Sequence, residues 1–445
     1  MSPRRPRFHR GPNPSRRDLL AATAAVAGVS LFPSACASVG TPLAAWKSER
    51  RRPPQPGETI RIGVVGIGAP STPAMGFGHC DRICTLAKEG RENVQIVAIS
   101  DVAKPYLERG VAHCSELQGI AVDGYRDYRE LFAREDLHGV LLAVPEHWHA
   151  KMACDAVAAG LDVYLEKPMA LDLDDALRLR ECVLANEGVV FQVGTQYLQL
   201  AKYHAAKKLI AEGAIGQPTL VQTSYCRNSK DGEWLYEVDP AVVPGEMLDW
   251  EAWCGPLGAA EFDPQVFYRW RRYRKYSTGI VGDLLVHMMT PLVYALDPGW
   301  PVHVSASGGH YVDREMENHD QVHLTIRFEK PVTMVVAGST CNENGFETLI
   351  RGHEGNLYLG GNDCVLRPER VFAEEKDEAT VPCPGIADQD EHRLNWLACM
   401  RTREPAIGDV TTAAKVMVIV DLATRSLWGD SAQTFDPSTM TARLA

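Results

Sequence analysis

Two kinds of apolar pattern alternate between residues 59 and 193. Thr59-Ile60-Arg61-Ile62-Gly63-Val64-Val65-Gly66-Ile67-Gly68 is a β-branched run ending in Gly-x-Gly. Such a run predicts a buried parallel strand entering a tight turn. A second run, Val94 to Ser100, ends at Asp101, and a third, Gly139 to Val144, ends at Pro145. The helical stretch Ala150–Ala159 follows, then the strand Asp162–Leu165, which closes on Glu166-Lys167-Pro168. Strands alternating with helices predict a parallel, doubly wound sheet whose ligands meet the carboxyl ends of the strands.

After Gly194 the pattern changes. A helix over Ala201–Glu212 leads through Gly216-Gln217-Pro218 into the alternating strand Thr219–Tyr225. Further β runs fall at Val302–Ser307, Gln321–Phe328, Val332–Ala337, Glu347–Arg351 and Asn356–Leu359. With no helices between them, they predict one open, mostly antiparallel sheet. Gly352 to Asn356 reads as a hairpin turn, and Thr411–Leu427 as an amphipathic helix closing the fold. The expected class is α/β: an N-terminal Rossmann dinucleotide-binding domain over 59–193 and a C-terminal α+β domain over 194–445.

Gly66 and Gly68 would let the backbone approach a pyrophosphate, with the next helix supplying N–H groups and the positive end of its dipole. The usual third glycine falls at Ser71, where the chain instead carries an insertion, Ala69 to Ala74, before Met75-Gly76-Phe77-Gly78-His79. Asp101 would accept hydrogen bonds from the adenosine ribose and repel a 2′-phosphate, favouring NAD over NADP. A plain helix-capping aspartate is the alternative.

Composition narrows the classes. The 445 residues are 45% hydrophobic and 23% charged, which suits a globular protein. A net charge of -11 gives no broad basic surface for nucleic acid. The charge is unevenly spread, however: residues 1–37 carry six arginines against Asp18, a local +5 that leaves a body of -16. Arg16-Arg17 stands directly before Asp18-Leu19-Leu20 and the apolar run Ala21 to Phe32, and resembles a twin-arginine export signal. Ala35-Cys36-Ala37 fits cleavage after Ala37. Lipidation at Cys36 is the alternative, disfavoured by Pro33. The apolar run is shorter than the ~20 residues of a spanning helix, so no transmembrane span is expected in the mature protein. Residues 1–37 are therefore assigned as a signal peptide read by the twin-arginine machinery, with a periplasmic or secreted product. Residues 38–58, rich in Arg and Pro, are expected to be an unstructured lead-in. The twelve cysteines include no CxxC pair, and free thiols are expected. His303, His310, His319 and His323 match no metal-ligand spacing, and no metal is expected.

Pro145-Glu146-His147-Trp148-His149, Ala158-Ala159-Gly160, Glu166-Lys167-Pro168-Met169-Ala170 and Gly194-Thr195-Gln196 together resemble the glucose–fructose oxidoreductase, inositol dehydrogenase and rhizopine-catabolism (Gfo/Idh/MocA) family. The resemblance runs from about Ile60 to Ala423. It implies that Pro145, His149, Glu166, Lys167 and Gln196 join Gly66, Gly68 and Asp101 around the dinucleotide. It further implies a homo-oligomer and a second domain that binds a small carbohydrate.

In Gly279-Ile280-Val281-Gly282-Asp283-Leu284-Leu285-Val286-His287 the family pattern Asp-x-Gly-x-His carries Leu285 in place of its middle glycine. Asp283 and His287, four apart, would share one helix face. Lys167 and His287 are the candidates for proton transfer, with Asp283 holding charge or orientation. A surface helix pair is the alternative. Arg227, Asn228, Trp234, Arg269 and Trp270 lie in an aromatic, basic stretch suited to sugar binding or, equally, to oligomer packing.

Two functions fit. One is an exported oxidoreductase acting on a sugar, sugar acid or cyclitol hydroxyl. The other is a glycosidase like glycoside hydrolase family 109, working by transient oxidation and elimination. Outside the cytoplasm there is no free NAD pool, so either implies a cofactor bound before export and retained.

Overall fold

The computed structural model describes residues 51–445. The export segment, its cleavage after Ala37, the Cys36 alternative and residues 38–50 of the lead-in lie outside the described residues. The rest of the lead-in departs from expectation, because residues 51–58 dock on the first domain. The Arg51 guanidinium donates to the carbonyls of Phe132 (3.2 Å) and Ala159 (3.4 Å), and Pro54 is buried. Phe132 ends one helix and Ala159 caps another, where carbonyls are open to donors from outside the helix.

The first sheet is built from β1 (Ile60–Val65), α1 (Met75–Lys88), β2 (Val94–Ser100), α2 (Lys104–Gln118), β3 (Asp123–Tyr125), α3 (Tyr128–Phe132), β4 (Gly139–Leu142), α4 (Glu146–Ala158), β5 (Asp162–Leu165), α5 (Leu173–Leu184) and β6 (Phe191–Val193). Its order is β3-β2-β1-β4-β5-β6, all parallel. The order reverses between β1 and β4, and the crevice at that switch point is where such sheets take their ligands.

The chain continues through α6 (Ala201–Ala211), β7 (Pro218–Cys226), α7 (Trp250–Cys254), α8 (Pro264–Arg269) and α9 (Val286–Leu296). Seven strands follow: β8 (Pro301–Gly309), β9 (Gln321–Phe328), β10 (Thr333–Ser339), β11 (Leu349–Gly352), β12 (Gly355–Tyr358), β13 (Cys364–Pro368) and β14 (Ala379–Val381). Then come α10 (Asp388–Thr402), α11 (Val410–Gly429), β15 (Gln433–Asp436) and β16 (Thr441–Leu444). The second sheet runs β14-β13-β12-β11-β7-β10-β9-β8-β15-β16 and is antiparallel except for β7 against β10. Along β9, Val322, Leu324, Ile326 and Phe328 are buried while His323, Thr325 and Arg327 are exposed, so one face is packed and the other wet. Strands β13 to β16 are not anticipated from the sequence.

One apolar cluster runs from Leu142, Leu165 and Val193 of the first sheet through α9 and α11 to Val221, Ile326 and Val336 of the second. Helix α10 returns to the first sheet, where Trp396, Leu397 and Met400 join Ile60 and Val64. The cysteines among the described residues are free, and most are buried. No helix among those residues is long and apolar enough to cross a membrane.

Candidate active site

The phosphate-type loop follows β1. Gly66 and Gly68 adopt φ of 86° and 84°, in the left-handed region that glycine tolerates. The third glycine is Gly76, on the far side of the insertion: a Cβ there would lie 1.7 Å from the Gly66 carbonyl oxygen. The inserted residues fold into a turn, with Thr72 donating from N and Oγ1 to the Ala69 carbonyl. Helix α1 therefore still starts against the strand, as a dinucleotide cradle requires.

Asp101 is buried at the end of β2. Its Oδ2 accepts from the amides of Ile67 (2.7 Å) and Gly68 (3.3 Å), and its Oδ1 from that of Ala103 (2.8 Å). Burial raises its proton affinity against the pull of these amides. The carboxylate thus clamps the glycine loop, a role the sequence did not suggest, and its remaining lone pairs are those a ribose hydroxyl would use. A strap from the second domain crosses the same end of the sheet. Ser71 Oγ donates to the Glu237 carbonyl (2.8 Å), Lys104 N to that of Met247 (2.8 Å), and Asp249 N to that of Val102 (3.0 Å).

The reaction-type cluster forms where β5 ends. Lys167 Nζ donates to both the carbonyl and Oδ1 of Asp283, each at 2.9 Å. Arg271 Nε donates to the same Oδ1, also at 2.9 Å. Burial alone would raise the Asp283 carboxyl, but the two cations hold it far below the usual carboxylate range. Asp283 lies in a π-helical turn, Val281–Leu285, that runs into α9. His287 sits in the first turn of α9 with Tyr197 and Tyr225 beside its ring, at centroid distances of 5.5 and 6.2 Å. Burial, then the Lys167 charge, push the His287 imidazolium down to about 3, so the ring is neutral at working pH. Leu285, where the family pattern has glycine, is fully buried and fills space beside Gly338 of β10.

Behind Lys167, Glu166 Oε1 meets His79 Nε2 at 2.8 Å, and Arg393 Nε donates to His79 Nδ1 at 2.8 Å. Burial and Arg393 keep His79 uncharged, so its Nε2–H donates to an ionised Glu166. His149, expected at the cofactor, turns its ring nitrogens to the carbonyls of Pro168 (2.5 Å) and Val144 (2.7 Å), bracing the end of β5. Pro145 caps α4, and Gln196 opens the 3-10 turn that carries Tyr197.

The sugar-facing candidates divide. Arg227 reaches Glu233 (2.9 Å) at the edge of the cluster, and its charge is felt at His287. Asn228 pairs with Cys341 in an isolated bridge. Trp234 is only 3% exposed and belongs to the core, so it offers no open stacking face. Arg269 is spent on the Tyr236 carbonyl and Gln265, whereas Arg271, two residues on, enters the cluster and stacks on Trp270 at 4.2 Å. Where α8 passes into the 3-10 turn Trp270–Arg272, facing is set by packing and not by sequence period. Glu146, also absent from the expected site, is fully buried one turn before His149.

A two-domain fold with a glycine cradle at its switch point and a Lys–Asp–His cluster at the domain junction defines a dinucleotide-dependent oxidoreductase class. The chain belongs to the Gfo/Idh/MocA oxidoreductase family: residues 60–195 match its NAD-binding Rossmann domain and residues 200–442 its C-terminal α/β domain. Inositol 2-dehydrogenase of Burkholderia multivorans is 29% identical over 232 residues, 52% of this chain and 64% of that protein. The chain thus aligns with somewhat under two thirds of the length of that relative. A glycosyl hydrolase family 109 protein of Shewanella sp. (strain ANA-3) is 30% identical over 126 residues, 27% of this chain and 25% of that one. Among solved structures, a levoglucosan dehydrogenase in complex with NADH superposes with a TM-score of 0.64 at 17% identity, covering 84% of this chain and 98% of the other.

Proposed function

We propose that this chain oxidises a hydroxyl of a sugar, sugar acid or cyclitol, using NAD that it retains between turnovers. The observation that carries the reading is the buried Lys167–Asp283–Arg271 cluster beside a neutral His287. Bound NAD would supply the hydride acceptor. The neutral His287 ring accepts the hydroxyl proton, and the Lys167 ammonium, steadied by Asp283, keeps its own proton and gives the oxygen a hydrogen bond as negative charge develops on it. Gly66, Gly68 and Gly76 hold the pyrophosphate loop, and Asp101 favours an unphosphorylated ribose. The strap from Glu237 to Asp249 over the ends of β1 and β2 supports slow cofactor release. The names of the inositol and levoglucosan dehydrogenases support a cyclic polyol as substrate. Export by the twin-arginine pathway rests on Arg16-Arg17 and the apolar run after them, and a homo-oligomer rests on the family resemblance alone.

The match to family 109 favours a second reading, in which the same groups serve a glycosidase. The two separate cleanly. Purified protein is expected to release about one NAD per chain on denaturation, and a polyol panel is expected to give a single-turnover absorbance rise at 340 nm. Release of p-nitrophenol from an aryl glycoside without NADH accumulation would instead establish the glycosidase. Protein that neither carries nor binds NAD would overturn both.

A further inference from the structure

Lys167 and Asp283 belong to different domains, yet Lys167 Nζ meets both the carbonyl and Oδ1 of Asp283 at 2.9 Å. The first turn of α4 touches both arms. On one side, His149 Nδ1 meets the Pro168 carbonyl at 2.5 Å, next to Lys167. On the other, Glu146 crosses to the segment before Asp283: its Oε1 accepts from Ser277 Oγ (2.6 Å), and its Oε2 from Thr278 N and Oγ1 (3.0 Å each). Thr278 Oγ1 in turn lies against Gly282, where a Cβ would come within 1.8 Å of it, and that same Cβ would lie 3.4 Å from Pro168 Cγ. Asn318 ties the segment from behind, donating to the carbonyls of Arg271 (3.0 Å) and Ser277 (3.3 Å).

We infer that Glu146 is a positioning residue for the proposed reaction: by clasping Ser277 and Thr278 it sets Asp283, Arg271 and His287 in register with Lys167. All three groups facing its oxygens are donors in these bonds, so the carboxylate form satisfies them best. Burial first, with Asp283 adding, nevertheless pushes the Glu146 carboxyl up to about 7. The other charged or titratable groups around it are Arg271, whose guanidinium answers the carboxylate, and His147 and His149 on its own helix, both kept neutral by burial. The sign follows. Above about pH 7 Glu146 is ionised and accepts three hydrogen bonds; as the pH falls through 7 it gains a proton, and one of the three bonds must reverse or break. The register loosens, and turnover falls on the acid side.

The inference rests on the proposed oxidoreductase reading, so the test has one arm that needs no substrate. On the best polyol, wild-type kcat is expected to show an acid limb near pH 7. Glu146→Gln, with no proton to gain, is expected to lose that limb and sit on the order of tenfold below the wild-type plateau, with KM within about twofold, as a small misplacement of reacting groups predicts. Thr278→Val is expected to lower kcat severalfold and Thr278→Ser to restore it. An unchanged limb in Glu146→Gln, or wild-type kcat in Thr278→Val, overturns the inference. Should the wild type oxidise no polyol, the functional reading fails, and hydrogen exchange still decides this one. Glu146→Gln is expected to speed exchange in residues 277–287 and leave residues 60–65 unchanged; equal exchange in both segments overturns it.

Discussion

Lys167→Met is expected to lower kcat by about 10²–10³-fold on any polyol the wild type oxidises, the range set by loss of a preorganised hydrogen-bond donor to the reacting oxygen. Methionine keeps most of the stem and removes only the ammonium, which holds both the Asp283 carbonyl and its Oδ1. Two neighbours then shift. Asp283 keeps Arg271 as its one cation, so its carboxyl rises from its depressed position. His287 loses the positive charge that adds to burial in lowering its proton affinity, so its ring is expected to titrate at higher pH than in the wild type, read by NMR of the imidazole. The stability loss should stay below the roughly 3–5 kcal/mol of an orphaned buried charge, because Arg271 remains on the same oxygen. Dinucleotide binding, measured separately by calorimetry, is expected to persist. A kcat within threefold of wild type would remove Lys167 from the mechanism.

The sequence and the structure part company where facing is decided by packing. Alternation of β runs and helices made the parallel sheet legible, since each strand of Val, Ile and Leu is buried on both faces. Lys167, Asp283 and His287 were also legible as candidates, through the motifs around them, and they do come together. Glu146 was not: it lies inside a quoted motif, but its partners Ser277 and Thr278 are more than a hundred residues away and nothing local announces them. Arg271 stood in the same aromatic, basic stretch as Arg269, and nothing in the sequence separates the two, which differ only in what each side chain meets after folding. Trp234 shows the converse. Its aromatic ring fits a sugar platform on paper and the hydrophobic core in fact. Asp101 was read for a ribose, and its carboxylate also clamps the amides of Ile67 and Gly68, which only the folded loop brings to it.

Gly76→Ala tests the displaced third glycine most severely. An added Cβ would sit 1.7 Å from the Gly66 carbonyl oxygen, and no side-chain rotation relieves a contact with backbone. Gly66 cannot retreat, since its own Cβ position already lies 2.6 Å from the Ala143 carbonyl oxygen on the far side. Helix α1 must therefore move away from β1, and it carries His79, Cys80 and Ile83, all buried, with it. That displacement opens the cradle, parts His79 from Glu166 and exceeds the 1–3 kcal/mol of ordinary overpacking. The expected result is a melting temperature lower by many degrees and no measurable NAD binding by calorimetry. Gly78→Ala, two residues along the same helix, is the matched control: a Cβ there meets nothing within 4 Å, and alanine is the better helix former by about 1 kcal/mol. It should bind NAD as the wild type does and melt at the same temperature or higher. If Gly76→Ala behaves like Gly78→Ala, the loop is not held by a close glycine approach and the cradle must be drawn elsewhere.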